Sequence, residues 1–439
     1  MDAFSIDKIK ARWILDSRGN PTVEVDVITG NSSFGRGAVP SGASTGHFEA
    51  IELRDHEQAF GGKGVSKALK NIKEIIAPEI KGMDVREQDI IDKKMIELDG
   101  SENKGNLGAN AILAISIAVS RAAAQMSSKP LYAYLRGLIQ DSNPKLEDKF
   151  LLPTPLSNVI NGGEHAGNRL AIQEFMIMPI NFKTFRRAIQ GVSEVYQRLK
   201  AVLTKKYGPI ARNVGDEGGM APPMTYTTEA LDSLIVAIEE AGYSPKSDFL
   251  LAMDAAASEF FRDNAYHIDE KELTTMELLD YYSEFMQAYP IASLEDPFEE
   301  NDYTSFSTLT KVQSSLQVVT DDLTVTNLKR LKTAIDMAAG NCLLLKVNQI
   351  GTLSEAIAAA KLAFKDNWGV VVSHRSGETE DSFIADLSVA LSCGQIKTGA
   401  PGRTDRTSKY NQLLRIEDEL NNNAEYAGQN YRTAYQKYL

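Results

Sequence analysis

Only two cysteines occur in the chain, Cys342 and Cys393, and both lie inside apolar runs with no CxxC spacing. That argues against a disulfide-stapled scaffold and for a reducing compartment, with both thiols in the core. Long apolar runs are missing too. The longest nearly uncharged stretch, LGANAILAISIAVS at 107–120, falls short of the roughly 20 residues a bilayer span needs and reads as a buried helix. No signal-peptide pattern opens the chain. Positive charge is in deficit: 47 Lys and Arg against 59 Asp and Glu give a net charge of −12 and a pI near 5.1. This argues against a nucleic-acid surface but leaves room for a local basic pocket around an anionic metabolite. Internal repeats and low-complexity segments are also absent. The expectation is a soluble cytoplasmic protein with neither a nucleic-acid nor a membrane partner.

What the chain has in quantity is alternation. DFLLAMDAAA (248–257), IASLEDPF (291–298), LQVVTDDLTV (316–325), CLLLKVNQIG (342–351) and WGVVVSHRSGET (368–379) are apolar runs that end in polar residues. Runs of this length suit strands buried on both faces, with the polar residues on the loop at the C-terminal end. Between them lie stretches with helical spacing, at 227–242, 328–340 and 352–364. Repeated βα units predict a parallel sheet closing into a barrel, with its active site at the strand C-termini. A barrel takes about 250 residues, so 439 leave room for a second domain.

The first 140 or so residues read differently. TVEVDVIT (22–29) alternates as a half-buried antiparallel strand does, after a turn at DSRGNP (16–21), and amphipathic patterns follow at 65–80 and 87–98. The stretch 109–125 is apolar almost all round. An α+β capping domain over 1–140 is expected, then a polar stretch at 141–150, then a barrel over 150–439 whose first strand is LLPTPLSNVI (151–160).

Glu217, Asp254, Glu295, Asp321 and Lys346 each read as following a strand. Asp254, Glu295 and Asp321 fall on successive predicted strands and so converge in a barrel. Three carboxylates brought together need a cation, and an all-oxygen set without His or Cys selects magnesium or a similar ion. Taken singly, each reads more simply as a solvated carboxylate or helix cap. Lys346 after CLLL must bury its charge unless it faces the barrel mouth, where desolvation and nearby cations lower its pKa toward that of a base. GASTG (42–46) and NGGEHAG (161–167) are glycine-rich loops of the kind that close over ligands, a weak signal alone. HRSGET (374–379) and Lys397 put strand-end cations opposite the carboxylates, which suits a small doubly anionic substrate.

DSRGNPTVEV, PSGASTG, NGGEHAGN, QEFMIMP, GDEGG, LEDPFEEND, DDLTVT, LLKVNQIGT, SHRSGETED, IKTGAPGRTDR and KYNQLLRIE occur in one order and spacing along the whole chain. In this the sequence closely resembles the enolase family. The resemblance implies an α/β fold: an N-terminal α+β domain capping a C-terminal barrel of ββαα(βα)6 type, with one antiparallel strand. It implies reversible dehydration of 2-phosphoglycerate to phosphoenolpyruvate. Asp254, Glu295 and Asp321 would hold one Mg2+ and Ser44 would help hold a second. Lys346 would abstract the C2 proton, and Glu217, assisted by Glu174 and with a raised pKa, would protonate the departing C3 hydroxyl. Arg375 and Ser376 would grip the phosphate, and Lys397 would pair with the substrate carboxylate. His165 and His374 would line the pocket, and Gln173 would support the cluster. A homodimer is implied, with Arg18, Glu417 and Asp418 at its interface. Phe48 stands where the family pattern has a basic residue or histidine before Glu49.

Two other readings stay open on sequence. A sugar-acid dehydratase or racemase of the same superfamily shares the metal carboxylates but not SGASTG, HRSGETED and Lys397 together. A non-catalytic scaffold protein would have lost a ligand, acid or base, and none is lost here.

Overall fold

The computed structural model describes residues 2–42, 48–139 and 149–437. An antiparallel three-stranded sheet opens the chain: Ile6–Leu15, Pro21–Thr29 and Phe34–Ala38. Its inner face carries Val23, Val25 and Val27, all fully buried, as the alternation in TVEVDVIT predicts. Against it lies the helix Ala109–Met126, which is buried nearly all round. The contact is close because the third strand offers glycine: a Cβ on Gly35 would stand 2.0 Å from the Ala118 carbonyl oxygen, and one on Gly37 2.5 Å from that of Ala114. The predicted helices at 65–80 and 87–98 are present, the first as Ser66–Asn71, a wider turn at Ile72–Ile76 and Ala77–Ile80, the second as Gln88–Asp99.

The rest of the chain forms a closed eight-stranded barrel. Its strands are Thr154–Asn161, Glu174–Pro179, Phe249–Asp254, Ile291–Glu295, Gln317–Thr320, Cys342–Leu345, Gly369–Ser373 and Gln395–Lys397. Glu174–Pro179 pairs antiparallel with both its neighbours, while the other pairings are parallel. The helices Phe185–Tyr207 and Thr227–Glu240 follow as a pair, which completes ββαα before the βα units begin. Each unit reflects its sequence. Leu353–Lys365, for example, starts where the Thr352 side chain accepts from the Glu355 N–H. Leu156, Met176, Ala252, Val319, Leu344 and Val371 fill the barrel interior, and Cys342 packs with them. Both cysteines are free and buried.

One expected boundary shifts. LLPTPLSNVI is not a single strand: Phe150–Leu152 pairs with Ala424–Tyr426 outside the barrel, and the barrel strand begins at Thr154. Pro153 between them has no N–H to give a ladder, so it breaks the run. The expected linker at 141–150 lies mostly outside the described residues.

Replacing Gly35 by alanine forces the sheet off the helix Ala109–Met126, and such overpacking costs about 1–3 kcal/mol. The urea midpoint of Gly35→Ala falls accordingly with an unchanged denaturant slope; an unchanged midpoint would mean that this contact is loose.

Candidate active site

Strand register sets the site. Asn161 aligns with Glu174, Glu174 with Asp254, and Asp254 with Glu295, so four neighbouring strands present a row of polar residues at one rim. Glu174 opens its strand, yet it reaches the same mouth as the strand-ending Asp254 and Glu295 because that strand runs backwards. Asp321 and Lys346 each follow the last residue of a barrel strand directly, and Lys397 ends its own.

Lys397 is 2 % exposed and sits among these carboxylates. Its Nζ lies 2.9 Å from Asp254 Oδ2, 2.9 Å from both oxygens of Glu295 and 3.2 Å from Glu174 Oε1. It therefore stands inside the acidic cluster rather than opposite it, contrary to the reading from sequence. Burial works against its charge, but Asp254, Glu174 and Glu295 outweigh that and push its pKa well above the ordinary amine value. Glu295 lies beneath it, while the predicted residues Glu174, Glu217, His165, Gln173, Asp254, Asp321, Lys346, His374, Arg375, Ser376 and Lys397 line one pocket. Ser44 falls outside the described residues.

Lys346 donates from Nζ to Asp321 Oδ2, and Gln349 Nε2 donates to Asp321 Oδ1 at 2.8 Å. The sequence suggested a lowered lysine pKa. Here burial pulls it down, but the Asp321 carboxylate outweighs this and the shift is upward. Beside Asp321, Asp296 accepts from the backbone N–H of Asp321 at 3.0 Å and of Asp322 at 2.7 Å. One carboxylate oxygen each from Asp296, Asp321 and Asp322 lie within 4.8 Å of one another. Burial, then the neighbouring charges, drive Glu295, Asp296 and Asp322 well above the carboxylate range. Buried carboxyls that hold protons for want of positive charge, and that offer only oxygen donors, fit a divalent cation such as magnesium.

Glu217 does not follow a strand. It lies on the loop between the helices Phe185–Tyr207 and Thr227–Glu240, where GDEGG supplies no apolar run and Val214 bridges to Met220 around it. Asn158 Nδ2 donates to Glu217 Oε2 at 3.0 Å, His374 Nε2 stands 3.3 Å from that oxygen, and His165 Nδ1 lies 3.7 Å from Oε1 and 3.8 Å from Glu174 Oε1. Burial and then the Glu217 charge raise Glu174 well above the ordinary range. Burial also opposes charge on Glu217, but its imidazole neighbours reverse this and the net shift is downward. The imidazoles themselves are kept neutral by burial, His374 falling to about 3 and His165 also shifting down. His165 Nδ1 at 3.7 Å is beyond hydrogen-bond reach of Glu217, while His374 Nε2 at 3.3 Å is in close contact with it, and the raised carboxyl is Glu174 rather than the expected Glu217.

Arg375 grips Glu49 with both terminal nitrogens, at 2.9 and 3.2 Å, and Asn348 at 3.1 Å. Glu49, Asp296, Asp322, Glu259 and Ser373 line the pocket as well. Sequence reading passed over them, although the second acids of LED and DD were visible signals. Phe48 lies beside this site with its ring under the Arg330 guanidinium, 3.9 Å from centroid to carbon.

Lys397→Met leaves Asp254, Glu295 and Glu174 buried without their cation, and removing one partner of a buried pair costs about 3–5 kcal/mol. Glu174 and Glu295 recover part of this by binding protons, since their pKa values are already raised in the folded protein. Stability of the variant is therefore highest in acid and falls as pH rises through those folded values. Urea denaturation of wild type and variant at pH 5 and pH 8 checks this; an equal loss at both contradicts it.

The family models described as "Enolase, N-terminal domain" and "Enolase, C-terminal TIM barrel domain" match residues 6–135 and 149–435. The protein named enolase from Methanocaldococcus jannaschii is 56% identical over 434 residues, which cover 99% of this chain and all of that one. The enolases of Pyrococcus furiosus and Thermococcus kodakarensis are 57% and 58% identical over 435 residues, covering 98% of this chain and 99% of each relative. With both domains matched and the barrel closed as ββαα(βα)6, the chain belongs to the enolase family.

Proposed function

We propose that the pocket at the barrel mouth carries out the family's reaction through Lys346 as base and the Glu217 and Glu174 pair as acid. That reaction is the reversible dehydration of 2-phosphoglycerate to phosphoenolpyruvate, a hydro-lyase step of glycolysis. The observation that supports the assignment is the placement of a buried lysine and a proton-holding carboxyl pair on separate elements around one pocket, with Lys397 between them.

A C–H beside a carboxylate is a very weak acid, because its removal builds a dianion. Bound magnesium would supply the compensating charge, the arrangement the enolase superfamily exemplifies. Asp254, Glu295 and Asp321 would hold one ion and Ser44 would help hold a second. Lys346 takes the C2 proton once Asp321 no longer holds the ammonium at full strength. Glu174, whose pKa burial and the Glu217 charge raise, would supply the proton that Glu217 delivers to the departing hydroxyl. Lys397 leaves its carboxylate partners to meet the substrate carboxylate, Arg375 and Ser376 hold the phosphate, and His165, His374 and Gln173 complete the wall. The arginine's grip on Glu49 keeps its fork in place before substrate arrives.

The same reading extends to the whole molecule. The chain divides into a capping domain over 1–140 and a barrel domain over 150–439, and it works in the cytoplasm as a homodimer. The helix Ala109–Met126 is long and apolar enough to cross a membrane but is 83% buried inside the fold, which suits a core helix. Of the residues proposed for the dimer interface, Asp418 is exposed and meets Arg186, Glu417 accepts from the N–H groups of Phe185 and Arg186 at 2.6 and 2.9 Å, and Arg18 donates to the Gly42 carbonyl at 2.8 Å. The interface would thus be built on side chains already held in place.

With 2-phosphoglycerate and magnesium, absorbance at 240 nm rises as phosphoenolpyruvate forms. EDTA abolishes the rise, and Lys346→Ala lowers kcat by roughly 100- to 10,000-fold. A folded wild type with no turnover would overturn the reading.

A further inference from the structure

Among the described residues Arg406 is the largest side chain with no solvent exposure, and it is bonded to four acceptors. Nη1 meets His374 Nδ1 and the Arg375 carbonyl; Nη2 donates to the Ser376 carbonyl at 2.6 Å and the Asp216 carbonyl at 3.1 Å. On its other edge, Nε lies 2.8 Å from Asp405 Oδ2. One guanidinium therefore joins the 374–376 segment at a strand end to the loop that carries Glu217. We propose that Arg406 is a positioning residue that locks His374 in the tautomer with a bare Nδ1 and a protonated Nε2, aiming that N–H at Glu217.

A guanidinium has five N–H donors and no acceptor, so the imidazole nitrogen facing Nη1 must accept. With Nδ1 bare, the single proton of the neutral ring sits on Nε2, the atom 3.3 Å from Glu217 Oε2. Which nitrogen carries the proton is set by the bond the other makes. Asn158 donates to the same oxygen at 3.0 Å, and an N–H on His374 Nε2 facing that oxygen would be a second group favouring an ionised Glu217. In the other tautomer a bare Nε2 would face that oxygen, and Glu217 would have to be protonated to make the contact. The low pKa of His374, produced by burial, is consistent with a neutral ring. By fixing this one hydrogen, Arg406 favours ionisation of Glu217 ahead of its neighbour Glu174, the direction in which burial and the Glu217 charge already push that carboxyl. The conclusion rests on the proposed role of that pair in the reaction, and its test does not depend on turnover.

The chain has five histidines, so 15N-histidine labelling with His374→Gln for assignment gives a readable spectrum. In the wild type, His374 is expected to show one bare nitrogen and one protonated nitrogen, with the Nδ1 bare. Arg406→Met should average the two and lower kcat by about 100-fold with KM changed by less than about threefold. Arg406→Lys, which keeps one donor, should restore the wild-type tautomer and part of kcat. A protonated Nδ1 in the wild type would overturn the proposal whatever the variants do. So would a folded Arg406→Met that keeps the wild-type spectrum, or an Arg406→Lys that loses the tautomer and keeps full kcat. A wild type with the expected spectrum and no turnover of 2-phosphoglycerate would instead remove the functional reading and leave the tautomer lock standing.

Discussion

Negative charge crowded into a buried barrel mouth is the constraint to which the rest of this structure answers. The pocket wall carries eight carboxyls against two lysines and one arginine, so the site cannot be neutral through ion pairs alone. Lys397 offsets part of the imbalance by sitting among three carboxylates. Protons offset more of it, because Glu174, Glu295, Asp296 and Asp322 are all driven above the ordinary carboxylate range. A divalent ion removes the remainder more effectively than protons do, since it carries two charges and binds several carboxylate oxygens at once. The appetite for metal is thus a property of the fold's own electrostatics.

Holding such a cluster together requires a frame that does not yield to repulsion. Ladder hydrogen bonds fix Asn161, Glu174, Asp254 and Glu295 in one row, and the reversed strand adds a carboxyl that a regular barrel would place at the opposite rim. The N-terminal sheet enters this frame through Ser41, whose backbone pairs with Gly377 in both directions at 2.7 and 2.9 Å. Arg121 on the helix Ala109–Met126 pairs with Asp381 at 2.6 Å, and Asp381 also caps the Ala38 N–H at 3.1 Å. Glu49 therefore meets Arg375 across a seam bonded at several other points, so the placement of the Arg375 guanidinium depends on both halves of the chain.

Much of this was legible in the sequence for identifiable reasons. Apolar runs ending in charge gave Asp254, Glu295, Asp321 and Lys346 their places, because strands buried on both faces have no other way to end. Glu217 was assigned to a strand end on the same logic, and wrongly, because GDEGG is held by tertiary contacts to Asn158 and Arg406 rather than by local periodicity. The antiparallel strand came from family resemblance, since period and composition carry no strand direction. Protonation was least visible: Lys346 and Glu217 shift opposite to expectation because each answers to a partner distant in sequence, Asp321 for the first and the two imidazoles for the second. Arg406 lies in a plainly polar helix start, and nothing in its neighbours announces that it is wholly buried.

In the proposed mechanism, the pairing of Lys346 with Asp321 would tie base strength to metal binding. Asp321 cannot give its charge fully to the ammonium and to a divalent cation at once. While the ammonium has it, Lys346 keeps its proton and the pocket holds an inert salt bridge. When the carboxylate is engaged elsewhere, burial and the nearby Arg375 and Lys397 charges, which already act to lower the lysine's pKa, are left with less opposition. On the proposed roles, the free base would then be favoured only in a site whose cation is in place, where the charge that proton removal creates could be stabilised. An ammonium that would compete with the metal for one carboxylate would make the order of loading part of the chemistry, with no moving part beyond the side chain itself.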